Sequence, residues 1–247
     1  MIAIKASELY AKDSKLALVK NIDLCFDFGN LISLIGVSGS GKTTFLRALI
    51  DDEKTRLSKD GFVKYKLNGK ILTPKMACAT GMVGALMPGA DMVPWQRVRD
   101  NIQLPSRLNP KLEIPQENDI LTELMELDLN EKVLSMRPSE LSFGMRQRIA
   151  LATALLYKPL FLLLDEALNG LDIATSKLVS ARLKKYVNKN NAICILVTHD
   201  VRLALSISSY ILLLSKKDSV IKIINITTTE DTIMDYLKTE IERQDYL

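Results

Sequence analysis

The sequence predicts an α/β fold: a core sheet flanked by helices, an antiparallel β piece, and a helical subdomain at about residues 96–157. Three observations predict it. The glycine-rich stretch Gly36-Val37-Ser38-Gly39-Ser40-Gly41-Lys42-Thr43 follows the apolar run Leu31-Ile32-Ser33-Leu34-Ile35, which has the character of a buried strand, and opens a helix-like segment at 43–50. Strand-like runs vanish between about 96 and 157, where helical periodicity takes over. Strand-and-helix alternation then resumes.

Taken in order, the first fifty residues read as strand, loop, strand, glycine-rich loop and helix. Residues 61–73 hold two strand-like runs around Asn68-Gly69, a strong hairpin signal. Another buried strand is expected near 82–87. Residues 116–127 are helical by Ile120, Leu121, Leu124, Met125 and Leu127, and Pro105, Pro110 and Pro115 should break what precedes them. Residues 139–156 read as loop and then a long helix that stops before Pro159. Strands are expected at 160–164 and 192–198, helices at 173–187 and 201–206, and closing strands at 210–214 and 220–226. From about 230 to 245, Ile233, Leu237 and Ile241 recur every four residues, as in an amphipathic helix. With no repeat and no long linker, residues 1–247 read as one domain.

Composition narrows the functional classes. The chain is 47% apolar and 25% charged, as an ordinary soluble globular protein should be. Its net charge of +4 comes from scattered residues, which argues against a nucleic-acid partner. The longest apolar runs, at 160–164 and 192–197, are too short to span a bilayer. The N-terminus enters a strand-like segment directly, without the pattern of a signal peptide. Cys25, Cys78 and Cys194 match neither a disulfide framework nor a metal spacing, and read as thiols of a reducing compartment. A single histidine, His199, excludes a His-based metal cluster.

The chemistry concentrates in a few places. Gly36, Gly39 and Gly41 let backbone N–H groups turn inward as a nest for phosphate, with Ser38, Ser40, Thr43 and Thr44 on the same loop and helix start. Lys42 supplies a point charge for β- and γ-phosphates, and the Thr43 hydroxyl is a ligand for Mg2+. The strand at 160–164 ends in Asp165 and Glu166. Asp165 is placed to help hold Mg2+, and Glu166 to polarise an attacking water as base. His199 follows a second buried strand, where it could donate a hydrogen bond to a γ-phosphate. Ser142 can cap the helix after it and so leave N–H groups for a second phosphate.

Together these residues resemble the ATP-binding subunits of ABC transporters, in order and over nearly the whole chain. Residues 36–43 match the Walker A motif and 160–166 the Walker B motif. Leu141, Ser142, Phe143, Gly144 and Met145 resemble the signature sequence, Leu171-Asp172 the D-loop, and His199 the switch histidine. Tyr10 stands about where that family places an aromatic residue that stacks on adenine. Pro94-Trp95 with Val98-Arg99-Asp100-Asn101 looks like the nitrate, sulfonate and taurine importers. The resemblance implies a P-loop ATPase core and ATP and Mg2+ as cofactors. It also implies a dimer with a second ATP-binding subunit, identical or different, in which each signature completes the other's site. The remaining implied partners are an integral membrane permease and a periplasmic or lipoprotein substrate-binding protein. The implied location is peripheral, at the cytoplasmic face of the inner membrane. Residues 82–101, with Met87, Met92 and Trp95, form either the surface that meets the permease or ordinary subdomain core.

The sequence departs from that family at four positions. The Q-loop glutamine falls on Pro88, which offers neither a side-chain oxygen nor an N–H. Phe143 replaces the first glycine of the signature, Ala167 a proline, and Leu203 a common glutamate. A poorly hydrolysing member of an asymmetric pair is therefore an alternative, as is a soluble ABC-type ATPase. A GTPase is disfavoured, because Asn188-Lys189-Asn190-Asn191 lacks the final carboxylate of the guanine-reading motif.

Overall fold

The computed structural model describes residues 1–88, 92–216, 218–225 and 230–242. Their elements run β1 (Ile2–Ala11), β2 (Val19–Phe26), β3 (Leu31–Ile35), α1 (Lys42–Leu49), β4 (Thr55–Leu57), β5 (Phe62–Leu67), β6 (Lys70–Leu72), α2 (Pro74–Ala79), β7 (Val83–Leu86), α3 (Val98–Leu108), α4 (Glu117–Glu126), α5 (Phe143–Leu156), β8 (Phe161–Asp165), α6 (Ile173–Asn190), β9 (Ile193–Val197), α7 (Val201–Ile207), β10 (Tyr210–Leu214), β11 (Ile221–Asn225) and α8 (Glu230–Glu242).

They form two sheets. The core sheet has the order β11-β10-β3-β9-β8-β7, parallel except for the antiparallel edge strand β11. Every residue of β3, β8 and β9 is buried, which is why these strands read as unbroken apolar runs. Their carboxyl ends lie side by side, where an open parallel sheet binds its ligands. The second sheet, β2-β1-β5-β6 with β4 also on β1, is antiparallel.

A core lies between the two sheets, around Phe45, Leu46, Tyr65 and Phe161. Tyr65 meets the Phe161 ring edge-on at 4.7 Å and donates its hydroxyl proton to the Leu49 carbonyl at 2.9 Å. A second core joins the core sheet to α3, α4, α5 and α6 through Ile102, Leu124, Ile149, Leu164 and Leu183. A third, under α7 and α8, contains Val201, Ile211 and Ile233, with Leu237 packed against it.

The structure corrects the sequence reading in places. Residues 19–26 form a strand where a loop was expected. Asn21 takes φ 51°, so the buried positions Val19, Ile22, Leu24 and Phe26 do not alternate strictly. Pro105 does not break its helix, because α3 runs through it to Leu108. The proline sits in the last turn, and the break comes at Asn109, which is extended ahead of Pro110. The helix expected at 173–187 continues to Asn190 and ends on Asn191 in the left-handed conformation, φ 47°. Ile226 of the last expected strand and residues 243–245 of the expected C-terminal helix lie outside the described residues.

Candidate functional site

The loop between β3 and α1 is shaped by what its glycines permit. A Cβ on Gly36 would stand 2.6 Å from the Leu214 carbonyl oxygen and 2.8 Å from Ser40 Oγ, so no side chain fits there. Gly39 and Gly41 take φ of +73° and +103°. Gly41 is also the N-cap of α1 and brings no capping side chain, so the first N–H groups of the helix remain open to an anion. Lys42 is buried, and its Nζ donates to the carbonyls of Gly36 at 2.8 Å and Val37 at 2.9 Å. Burial pulls the Lys42 ammonium below its ordinary pKa, while Glu166 and Asp165 work against that.

A cavity of about 550 Å³ opens over this loop, and the loop residues Gly36, Ser38, Gly39, Gly41, Lys42, Thr43 and Thr44 line it together with Glu166 and His199. Ser40, on the same loop, is buried, and its Oγ has no hydrogen-bond partner among the described residues. His199 arrives at the carboxyl end of β9, just before Asp200, which accepts from the Leu203 N–H and caps α7. Glu166 arrives at the end of β8 with φ 56°, a left-handed conformation unusual for a residue with a Cβ. Its N–H donates to the Val197 carbonyl at 3.1 Å and its carbonyl accepts from the Asn169 N–H at 3.0 Å, which holds that turn in place.

Asp165 ends β8 and is buried, and among the described residues no hydrogen-bond donor but the nearby Thr43 hydroxyl answers its two buried oxygens. Burial pushes its carboxyl above the ordinary carboxylate range, and Glu166 adds to this. The nearby Thr43 hydroxyl and the Lys42 ammonium partly oppose it. Oxygens of this kind beside a threonine hydroxyl fit a hard divalent cation.

The expected residues Tyr10, Ser142, Phe143, Gly144, Met145 and Asp172 stand outside this cavity. Tyr10 does not line the cavity. Its hydroxyl donates to the Glu8 carboxylate, and the Arg56 guanidinium covers its ring at 4.2 Å from the centroid. Ser142 caps α5 by accepting from the Met145 N–H at 3.2 Å. Asp172 caps α6 and accepts from the Thr175 N–H and hydroxyl, which hold its carboxyl below the ordinary range. Around these caps, Phe143 packs on Gly170, where a Cβ would come within 2.9 Å of its ring, and Gly144 faces Leu171. Phe143 and Gly144 of the signature thus lie against Gly170 and Leu171 at the D-loop, and none of the signature or D-loop residues lines the phosphate-loop cavity. Two residues escaped the sequence reading. Leu18, which donates its N–H to the Leu9 carbonyl, lines the cavity from the antiparallel sheet's side. Gln147 lines a neighbouring cavity with Pro88, Asp165 and Glu166. Neither carries a local signal beyond being one leucine and one glutamine.

The ABC transporter family model matches residues 19–169. The chain is 35% identical over 199 residues to the nitrate import ATP-binding protein NrtC of Synechocystis sp., covering 80% of this chain but 28% of that protein. It is 34% identical to the sulfate/thiosulfate import ATP-binding protein CysA of Halalkalibacterium halodurans, covering 79% of this chain and 54% of that one. It is 36% identical to the aliphatic sulfonates import ATP-binding protein SsuB of Bacillus subtilis over 81% of this chain and 73% of that one. The chain therefore spans only part of the first two of these relatives. The dimeric post-hydrolysis structure of the ATP-binding cassette MJ0796 bound to ADP and Pi shares the fold, with a TM-score of 0.77 and 23% identity over 93% of this chain.

Proposed function

The chain belongs to the ABC transporter family, and from that premise we propose that it is the ATP-binding and ATP-hydrolysing subunit of a transporter whose membrane channel is a separate permease. The observation that carries this is the meeting of Lys42, Thr43, Glu166 and His199 in one cavity at the carboxyl ends of β3, β8 and β9, with Asp165 beside them.

The loop N–H groups and the α1 N-terminus would hold the triphosphate, and Lys42 would exchange its two carbonyl partners for the β- and γ-phosphate oxygens. Asp165 and Thr43 would hold Mg2+. Bound there, Mg2+ supplies positive charge that stabilises the transferring phosphoryl group. Glu166 would take a proton from the attacking water, and His199 would donate a hydrogen bond to the γ-phosphate. Tyr10 would stack on adenine. The group formed by Ser142, Phe143, Gly144, Met145 and Asp172 would face the nucleotide of a second ATP-binding subunit, so that ATP closes the dimer and hydrolysis opens it.

Among the described residues no helix is long and apolar enough to cross a membrane. Attachment would therefore come through the permease, at the cytoplasmic face. An apolar groove of about 430 Å³ between β7, α3 and α5, lined by Leu86, Met92, Leu104, Leu108 and Ala154, suits a permease helix. The three residues named for this surface divide. Met87 and Met92 pack against the cores, whereas Trp95 is 76% exposed. Residues 89–91 of the segment lie outside the described residues. Cargo choice would rest with the permease and a substrate-binding protein.

Glu166→Gln tests the reading. ATP hydrolysis should fall at least about a hundredfold, the scale of a lost general base, while ATP binding persists and an ATP-dependent dimer accumulates on size-exclusion chromatography. Unchanged turnover would overturn the assignment. Co-purification of the chain with an integral membrane protein separates a transporter subunit from a soluble ATPase.

A further inference from the structure

A second cavity, of about 320 Å³, lies next to the phosphate-loop cavity. Pro88 beyond β7 and Asp165 and Glu166 at the end of β8 form two walls, and α5 closes it with Phe143, Arg146, Gln147 and Ala150. Those four positions follow the i, i+3, i+4, i+7 spacing of a single helix face. Glu166 lines both cavities.

Three long polar side chains leave the early turns of α5, and two of them are engaged elsewhere. Arg146 Nη1 donates to the carbonyls of Pro138 and Leu141, and Arg148 Nη1 to those of Leu127 and Asp128. Gln147 differs. Its Oε1 is buried and has no hydrogen-bond partner among the described residues. Pro88, on the facing wall, has no main-chain N–H to give it. The Asp165 oxygens in this cavity lie near the Thr43 hydroxyl and are those assigned to Mg2+. Gln147 thus brings a buried acceptor that lacks a donor, a costly arrangement unless something with protons joins it. A water molecule carries two.

We propose that Gln147 is the positioning residue for the attacking water: its Oε1 accepts one proton of a water whose other proton faces Glu166. This rests on the ATPase reading above and deepens it. With both protons held by acceptors, a lone pair of the water oxygen is left for the γ-phosphorus. In the step itself a bond forms between that oxygen and the phosphorus, and the bond from phosphorus to the bridging oxygen breaks, its electron pair leaving with ADP. The water's proton passes to Glu166. Gln147 neither gains nor loses a proton and fixes only the direction of attack.

The test uses the full chain, the Gln147→Ala variant and the Gln147→Ala/Pro88→Gln double variant. Loss of one positioning hydrogen bond should lower kcat about tenfold and leave the affinity for a fluorescent ATP analogue within about twofold. Pro88→Gln puts a carboxamide on the facing wall and should recover most of the lost kcat in the Gln147→Ala background. A second readout needs no turnover. Orthovanadate with ADP places an apical oxygen where the water attacks, so it should raise the melting temperature beyond ADP alone. Gln147→Ala should shrink that increment while leaving the rise from ADP alone intact. The proposal is overturned if kcat is unchanged, if kcat and affinity fall together, if the double variant recovers nothing, or if the vanadate increment survives. A parent chain that neither binds nor hydrolyses ATP would overturn the ATPase reading instead.

Discussion

Asp165 ends a strand in which every residue is buried. Burial is the main reason that its carboxyl titrates above the ordinary value of 3.8. The folded chain therefore holds that proton to higher pH than the unfolded chain does. The ionised form weakens the nucleotide-free fold once the pH rises through the folded pKa, and the penalty is absent below 3.8. Asp165→Asn removes the charge and keeps the shape. At neutral pH, without nucleotide, its melting temperature should exceed the parent's by about 2–4 °C, the shift that about 1 kcal/mol gives in a domain of this size. Calorimetry across pH should show the gap closing as the pH falls towards 3.8, while Mg2+-dependent ATP binding is lost. A variant that melts lower than the parent at pH 7 would contradict this account. Glu166, the next residue, takes φ 56°, a costly backbone conformation for a residue with a Cβ.

At the scale of elements, α4 is tied to α6 by an ion network. Arg182 donates from Nε to Glu123 at 2.9 Å and also reaches Glu126, and Lys185 reaches Glu126 at 2.5 Å. Glu123 and Arg182 are nearly buried, at 10% and 12% side-chain exposure. Burial raises the Glu123 carboxyl's pKa and Arg182 opposes that. Arg182→Ala would strand Glu123 in the interior, at an expected cost of about 3–5 kcal/mol. Urea unfolding should show this loss, and Glu123→Leu/Arg182→Met, which fills the space with apolar atoms, should recover most of it. An Arg182→Ala variant as stable as the parent would contradict this. Such a network joins residues 59 apart in sequence, so no local pattern announces it. What the sequence does announce is short-range chemistry. Asn68-Gly69 shows its hairpin because both residues must take positive φ, and here they take 48° and 77°. The phosphate loop is legible because its glycines, lysine and threonine are contiguous. Strand β2 was hidden by the left-handed Asn21, and β4 by being only three residues long. Helix α2 did carry a signal, with Thr73 as cap and Pro74 in its first turn. Gln147 gains its meaning only when β7, β8 and α5 meet, and nothing within a few residues of it foretells that.

At the scale of the whole molecule, the proposed function would have the two sheets divide the work of holding one nucleotide. The core sheet carries the phosphate loop, Asp165, Glu166 and His199. The antiparallel sheet carries Tyr10, and the chain entering β2 carries Leu18, which touches the phosphate loop where a Cβ on Gly41 would come within 3.2 Å of it. The core around Tyr65 and Phe161 locks the sheets together, so a ligand that spans them meets a preformed arrangement. If Tyr10 serves the base and the loop serves the phosphates, the two contributions separate by ligand. Stacking on an aromatic ring is worth about 1–3 kcal/mol per base, so Tyr10→Ala should weaken ATP binding by about tenfold. Inorganic tripolyphosphate, which has no base, should bind the variant and the parent alike. Isothermal titration of both ligands makes the comparison. Equal losses for the two ligands would mean that the ring supports the sheet, through its hydroxyl bond to Glu8 and its cover by Arg56. Loss for neither would mean that the base is held elsewhere, and both results would remove Tyr10 from the nucleotide site.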